Sequence, residues 1–402
     1  MKIMLIGHAC APYVGSEPAI TWNWAWELSA RHEVTVLTHP THREMIESHL
    51  DRFPRPSLRF RWIEVPHSPW KPHRGQRFIR IHYLMWQRRV MRAARAEALS
   101  DDYTYVHYIS WNSVSAAPDL RGFRIPVVWG PVGGGQTAPV RFLRYFGRAA
   151  ITEVLRMLRV RSLLLWPRFR RAARATRPAL AINRETESLL RRAGCRGTRL
   201  FLELGIAPDA GTSEPAPRND GDGLVVMWAG RLEEHKGLPL ALEALRLVDR
   251  PIELRVVGGG RMLDPWKRRA AELEVSDRVS FLGQVPLYRM PQLYRDAHLF
   301  LFTSLRDSSG GVVFEAIGAG LPCVVPDHQG MAAHAPDEAV IRFPMRTPRD
   351  TVRAIASALE SLHDDEQLRR RLAAGARSVA PSFTWTRKIG SFERLLEEEG
   401  IA

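Results

Sequence analysis

Two short stretches combine charge with glycine in a way that suits a phosphorylated ligand. The first, Gly230-Arg231-Leu232-Glu233-Glu234-His235-Lys236-Gly237, sets two cations five residues apart between glycines. It follows an apolar run and precedes a helical pattern, so Arg231 and Lys236 belong to a strand-to-helix turn. Two fixed cations there can neutralise the charge that develops on a departing diphosphate. The second stretch is Asp307-Ser308-Ser309-Gly310-Gly311, continued by Val312 and Glu315. A glycine turn that leads into a helix presents free backbone N–H groups, a ready anion site. Carboxylates repel phosphate, so Asp307 and Glu315 beside it imply a ligand with hydroxyl-bearing parts as well as an anionic part, as in a nucleotide-sugar. The plainer reading makes the second stretch a capped helix start with Glu315 on a solvated face, and Lys236 a surface residue.

Both stretches need the same scaffold. Residues 299–302 and 323–325 are short apolar runs of the buried-strand type, with a helical segment over 312–319 between them. Upstream, strands are predicted over 224–229, 252–257 and 279–282, with helices over 239–248, 263–273 and 290–297. Helices fill most of 349–399, interrupted near Pro381. The first half repeats the alternation, with strands predicted over 2–7, 33–38, 59–65, 103–110, 127–129, 179–183 and 199–203. A helix over 19–30 carries Trp22, Trp24 and Trp26. This is doubly wound α/β grammar, in which ligands bind at the C-terminal ends of parallel strands. Such strand ends hold Gly15 and Glu17, His107 and Trp111, and Gly133 and Gly134 within Gly130-Pro131-Val132-Gly133-Gly134-Gly135. Adjacent glycines mark a close approach of backbone to a ligand or to another segment. A lone strand-end histidine such as His107 is equally a structural group. No GxGxxG occurs, so a nicotinamide or flavin site has weak support. His8, His39 and His42 have no metal-ligand spacing.

Taken together, these residues resemble the signature of retaining glycosyltransferases of family 4 (glycosyl transferases group 1), in the form associated with bacterial surface polysaccharides. The family form is a Glu, seven residues and a second Glu; here Asp307 holds the first place and Glu315 the second. Val14-Gly15-Ser16-Glu17 resembles the family's Gly-Gly-x-Glu loop, with Val14 replacing the first Gly. The resemblance is clear over 224–385 and looser in the first half. It implies the GT-B fold, an α/β architecture of two Rossmann-like doubly wound domains facing a cleft. Residues 1–206 would be the acceptor-binding domain, 207–223 the linker and 224–382 the nucleotide-sugar-binding domain. A final helix in 383–402 would cross back to the first domain. It implies a retaining, metal-independent hexosyltransferase that uses a UDP- or GDP-sugar donor and a glycan or lipid-linked acceptor in polysaccharide biosynthesis, without a cofactor. Arg231 and Lys236 would hold the donor phosphates, Glu315 the ribose hydroxyls, and Asp307 would lie by the transferred sugar. Gly15, Ser309, Gly310, Gly311 and Val312 would touch the donor, and the turn after Phe281-Leu282-Gly283 would meet its base. His107 would join Asp307, Lys236 and Arg231 in catalysis, although a neighbouring His of some relatives is Ile109 here. Glu17, Trp111, Gly133 and Gly134 would lie on the acceptor side. The alternatives are another GT-B enzyme, a phosphorylase or nucleotide-sugar epimerase, or a non-catalytic anionic-surface binding protein on the same scaffold.

Composition bounds the setting. A chain of 402 residues has room for two or three domains. Cys10, Cys195 and Cys323 make an odd number without metal spacing, which fits a reducing cytosol. The N-terminus is a poor signal peptide, and no apolar run approaches the roughly 18 residues of a membrane span. The net charge of +15 is uneven. Through Leu200, 33 Lys and Arg stand against 14 Asp and Glu, a balance of +19, and the remainder carries −4. The excess concentrates in 77–99 and 141–177, where arginines alternate with bulky apolar and aromatic residues, as in an interfacial helix. The expectation is peripheral contact with an anionic membrane, at the cytoplasmic inner face of the cell membrane. The plain alternative is a helix that buries its apolar side and solvates its arginines. No nucleic acid partner is expected, because stacking platforms and recognised binding motifs are not evident.

Overall fold

The computed structural model describes residues 1–15, 17–68, 78–211 and 223–401. The expectations for Ser16, Arg77 and residues 69–75 and 212–222 lie outside the described residues. The chain divides into two compact units.

The first unit comprises Met1–Gly135, Val160–Leu204 and Lys388–Ala402. Its strands are β1 (Lys2–Ile6), β2 (Glu33–Thr38), β3 (Leu58–Trp62), β4 (Tyr105–Tyr108), β5 (Val127–Val132), β6 (Ala179–Ala181) and β7 (Thr198–Leu200). They form one sheet in the order β3-β2-β1-β4-β5-β6-β7. Every pair is parallel, with Ile3 opposite Val34 on one side and Tyr105 on the other. Strands covered on both faces read as continuous apolar runs, and from Ile3 to Ile6 β1 is buried throughout. The helix Glu17–Leu28 buries Trp22 and Trp24, and Trp24 Nε1 donates to Glu203 O at 3.0 Å. The closing stretch of the helix Trp385–Glu398 packs into this unit from Lys388 onward, as the fold class implies. There Ile389 and Phe392 are buried, Glu393 pairs with Arg31 at 2.5 Å, and Lys388 Nζ donates to Leu202 O at 2.6 Å.

The second unit comprises Gln136–Arg159 and Gly205–Arg387. Its strands are β8 (Leu224–Ala229), β9 (Ile252–Val257), β10 (Val279–Gly283), β11 (Leu299–Leu301), β12 (Cys323–Pro326) and β13 (Val340–Phe343). The order is β10-β9-β8-β11-β12-β13, again all parallel. β13 was not anticipated: Val340-Ile341-Arg342-Phe343 is a short edge strand with a charge in it, below the length at which alternation is readable. Both units are thus Rossmann-like, parallel and helix-covered.

Residues 136–159, expected in the first domain, group with the second unit. The reason is apolar: Ala138, Phe142 and Phe146 are buried in the same core as Leu224, Leu238 and Leu254. Tyr145 OH donates to Glu243 at 2.8 Å. The arginine-rich stretch is also not one helix. It breaks into a 3-10 turn Val140–Ala149, a helix Ala150–Ser162, a 3-10 turn Leu163–Leu165 and a helix Pro167–Arg174. Gly147, at φ 48°, kinks the first of these within its own length, and Pro167 opens the last.

Candidate active site

In the second unit the two charged stretches meet. β8 delivers Gly230 to Gly237, and β11 delivers Thr303 to Gly310, because β8 and β11 are neighbours in the sheet. The loops are tied together by hydrogen bonds. Leu305 N donates to His235 O at 2.8 Å, Ser304 Oγ to the same carbonyl at 3.1 Å, and Trp228 Nε1 to Thr303 Oγ1 at 3.0 Å. This brings Lys236 Nζ within 2.5 Å of Asp307 Oδ2. Burial works to raise the Asp307 carboxyl. The Lys236 ammonium and the Gly310 N–H, 3.3 Å from Oδ1, outweigh it and hold the group below its ordinary value. Next to Lys236, burial and the Arg306 and Lys236 charges push His235 down to about 3, so it is neutral at pH 7.

Gly310 turns the chain into the helix Gly311–Gly318 at φ 71°. A side chain there would first meet the movable end of Met331, Cε at 2.7 Å, so it is the left-handed backbone that calls for glycine. Ser309 is buried and Val312 partly exposed at the start of this helix. Glu315 is exposed on the same helix, and its Oε2 accepts from the buried Tyr294 hydroxyl at 2.9 Å. Arg231 is far more exposed than Lys236. Its guanidinium is 74% exposed and pairs with Glu233 at 3.2 Å.

Sequence patterns did not single out the groups that hold the Asp307 turn. Gln329, just past β12, accepts from Asp307 N at 2.8 Å and donates to Thr137 O at 2.9 Å. It does so from a left-handed backbone, φ 54°. Gln136 Nε2 donates to Ser308 Oγ at 2.8 Å. Arg306 pairs with the buried Glu153 at 3.0 Å, and Arg156 lies 3.7 Å from the same carboxylate. A signal existed for Gln329 alone: Asp327-His328-Gln329-Gly330 is a polar, glycine-bearing turn at a strand end. Among the described residues, no three His, Cys, Asp or Glu converge as metal ligands.

In the first unit, Glu17 and Trp111 come together. Glu17 Oε1 accepts from Trp111 N at 2.6 Å, while burial pushes the carboxyl up to about 7 against the pull of that N–H. Trp111 has a left-handed backbone, φ 42°, and its ring stacks on Tyr83 at 4.0 Å. Gly15 is partly exposed two residues before the helix that Glu17 opens. Gly133 and Gly134 approach another segment of this unit. Gly133 bridges Ser113, and a side chain on Gly134, at φ 93°, would meet Ser113 Oγ at 2.8 Å. His107, expected at the catalytic centre, is a core residue. It is 0% exposed, lies between the rings of Trp24 and Phe392, and its Nε2–H donates to Gly130 O at 2.6 Å. Burial pushes its imidazole down to about 4, so it is neutral and enclosed.

Residues 211–379 match the family model described as glycosyl transferases group 1. Over 212 residues the chain is 30% identical to D-inositol 3-phosphate glycosyltransferase of Jonesia denitrificans, which spans 50% of this chain and 46% of that protein. Over 121 residues it is 35% identical to mannosylfructose-phosphate synthase of Agrobacterium fabrum, covering 27% of each. The chain therefore spans about half, or less, of the length of these curated relatives. Among solved structures, sucrose-phosphate synthase from Thermosynechococcus elongatus superposes with a TM-score of 0.66 at 18% identity, over 99% of this chain and 98% of that one. Anabaena HepE in complex with UDP superposes with a TM-score of 0.64 at 16% identity, over 99% and 100%. The two parallel sheets are those of the GT-B fold, and residues 211–379 are similar to the glycosyl transferases of group 1.

Proposed function

We propose that the protein is a retaining glycosyltransferase that moves a hexosyl group from a UDP- or GDP-sugar to a hydroxyl of a glycan or lipid-linked acceptor. The observation that carries this reading is the Lys236–Asp307 pair, 2.5 Å apart at the ends of adjacent parallel strands and next to a glycine-opened helix start. It supplies a fixed cation and backbone N–H donors where a diphosphate needs them. In the reaction, the bond between the anomeric carbon and the diphosphate oxygen breaks, and that oxygen keeps the electron pair. The acceptor oxygen bonds to the same face of the sugar, and its proton passes to the departing phosphate. Lys236 stabilises the growing charge, with Arg231 as a second, exposed cation. Asp307 fixes Lys236 and the turn and lies by the sugar, and Glu315 takes the ribose hydroxyls. Gly310, Gly311 and Val312 offer backbone groups to donor phosphate and sugar. Positive charge from side chains and helix start stands in for a metal, so turnover is expected to survive EDTA.

The HepE structures are complexes with UDP, UDP and glucose, and UDP-glucose, which makes UDP-sugars the first donors to try. A panel of UDP- and GDP-sugars read by thermal shift tests the proposal. A donor at 100 times its Kd stabilises the fold by about 2.7 kcal/mol. One nucleotide-sugar should raise Tm and be consumed, and NMR of the product should show the donor's anomeric configuration. A panel in which nothing raises Tm and nothing is consumed overturns the reading.

A further inference from the structure

The helix Ala150–Ser162 has two apolar faces, and only one is covered. Met157 and Glu153 point inward, and Glu153 is occupied by Arg306 at 3.0 Å. On the opposite side Ile151 is 73% exposed, Leu155 61%, Leu158 54% and Val154 38%. The spacing of i, i+3, i+4 and i+7 puts these four on one stripe. Glu153 is the sole acid between residues 136 and 159, so the exposed surface of this segment carries no carboxylate. It does carry Arg141, Arg144 and Arg148, all exposed. Among the described residues Arg141 and Arg148 have no ion-pair partner, while Arg144 pairs with Glu243 at 3.5 Å. No helix among the described residues is long and apolar enough to cross a membrane.

From this arrangement we infer that the Ile151–Val154–Leu155–Leu158 ridge is a membrane-docking surface that seats in the headgroup region of an anionic bilayer. An apolar stripe in a segment whose exposed charges are arginines matches that interface on both counts: aliphatic carbons enter the acyl boundary while guanidinium groups meet lipid phosphates. A second copy of the chain is the poorer occupant, because a self-facing ridge would bring its own arginines together. The inference deepens the transferase reading in one respect, by favouring a lipid-linked acceptor at the inner leaflet of a cell membrane.

Co-sedimentation of the full chain with vesicles tests it, comparing phosphatidylcholine alone with a mixture holding about 30% phosphatidylglycerol. The expected result is binding to the anionic vesicles alone at low salt, weakened at about 0.5 M salt because exposed charges are screened. The double variant Leu155→Ser, Leu158→Ser should partition at least about tenfold more weakly, with wild-type circular dichroism. Ile151→Ser, at the most exposed position, is the milder second variant. Wild-type protein that stays in the supernatant with anionic vesicles at low salt overturns the proposal. So does equal sedimentation of wild type and both variants, or light scattering that shows a dimer dissolved by the substitutions. The donor-induced Tm shift is read on the same samples. Its absence from wild type bears on the transferase reading alone, and its persistence in a variant that no longer sediments isolates the ridge.

Discussion

Lys236 does two jobs that a substitution would separate. In the proposed reaction it offers charge to a diphosphate, and in the structure it holds Asp307 ionised in a half-buried turn. Lys236→Ala should therefore lower kcat/KM at least ~10²-fold, as loss of charge stabilisation at a leaving group does. The carboxyl of Asp307 should rise, because the burial that opposes its ionisation then acts with less opposition. Steady-state kinetics with the donor found by thermal shift, and carbon-13 NMR of the Asp307 carboxyl, check the two halves. Turnover near the wild-type level would remove Lys236 from the mechanism. Each member of this pair was legible from its own neighbourhood, since glycine, charge and a following helix are local patterns. Their contact was not, because it depends on β8 and β11 being neighbours in the sheet. His107 shows the reverse. A strand-end histidine looks chemical in sequence, but whether its side chain faces the ligand edge or the core is decided by Trp24 and Phe392, both far away in the chain.

At the scale of elements, strands were the readable part: β2, β8 and β9 fall on the residues that their apolar runs mark. The assignment of 136–159 was less readable, since it rests on which core receives Phe142 and Phe146. That segment braces the Asp307 turn through Gln136 on Ser308, Thr137 on Gln329 and Glu153 on Arg306. Glu153→Gln would leave the Arg306 guanidinium without its buried counter-charge. The expected cost is about 3–5 kcal/mol, that of breaking a buried ion pair by removing one partner. A lower urea midpoint at unchanged slope would register it. A weaker hold on the turn should also raise the donor KM. An unchanged midpoint would mean that the pair is replaceable by solvent.

At the scale of the whole molecule, pH dependence should report on the returning C-terminal segment. Burial pushes the Lys388 ammonium from 10.5 down to about 7, against the pull of Glu203. Between those values the unfolded chain binds a proton that the folded site does not. Stability of the first unit should therefore rise with pH from about 7 to 10.5, by at most about 1.4 kcal/mol per pH unit from this group. Lys388→Met should flatten that slope, seen as urea midpoints that converge with wild type toward high pH. Parallel midpoint curves for the two proteins would show that Lys388 keeps its ordinary protonation.

The same segment sets an order of assembly. Phe392 closes over the rings of Trp24, His107 and Phe201, and Glu393 clamps Arg31 and His32. A ribosome makes residues 205–387 before it makes any of that cover. At ~5–20 residues per second the wait is on the order of 10–40 s. Through that interval the nascent first unit has its seven strands but an open aromatic seam, while the later-made second unit can already close around its own core. The part of the protein that is begun first is finished last, and its exposed seam is where a nascent-chain chaperone would find this polypeptide.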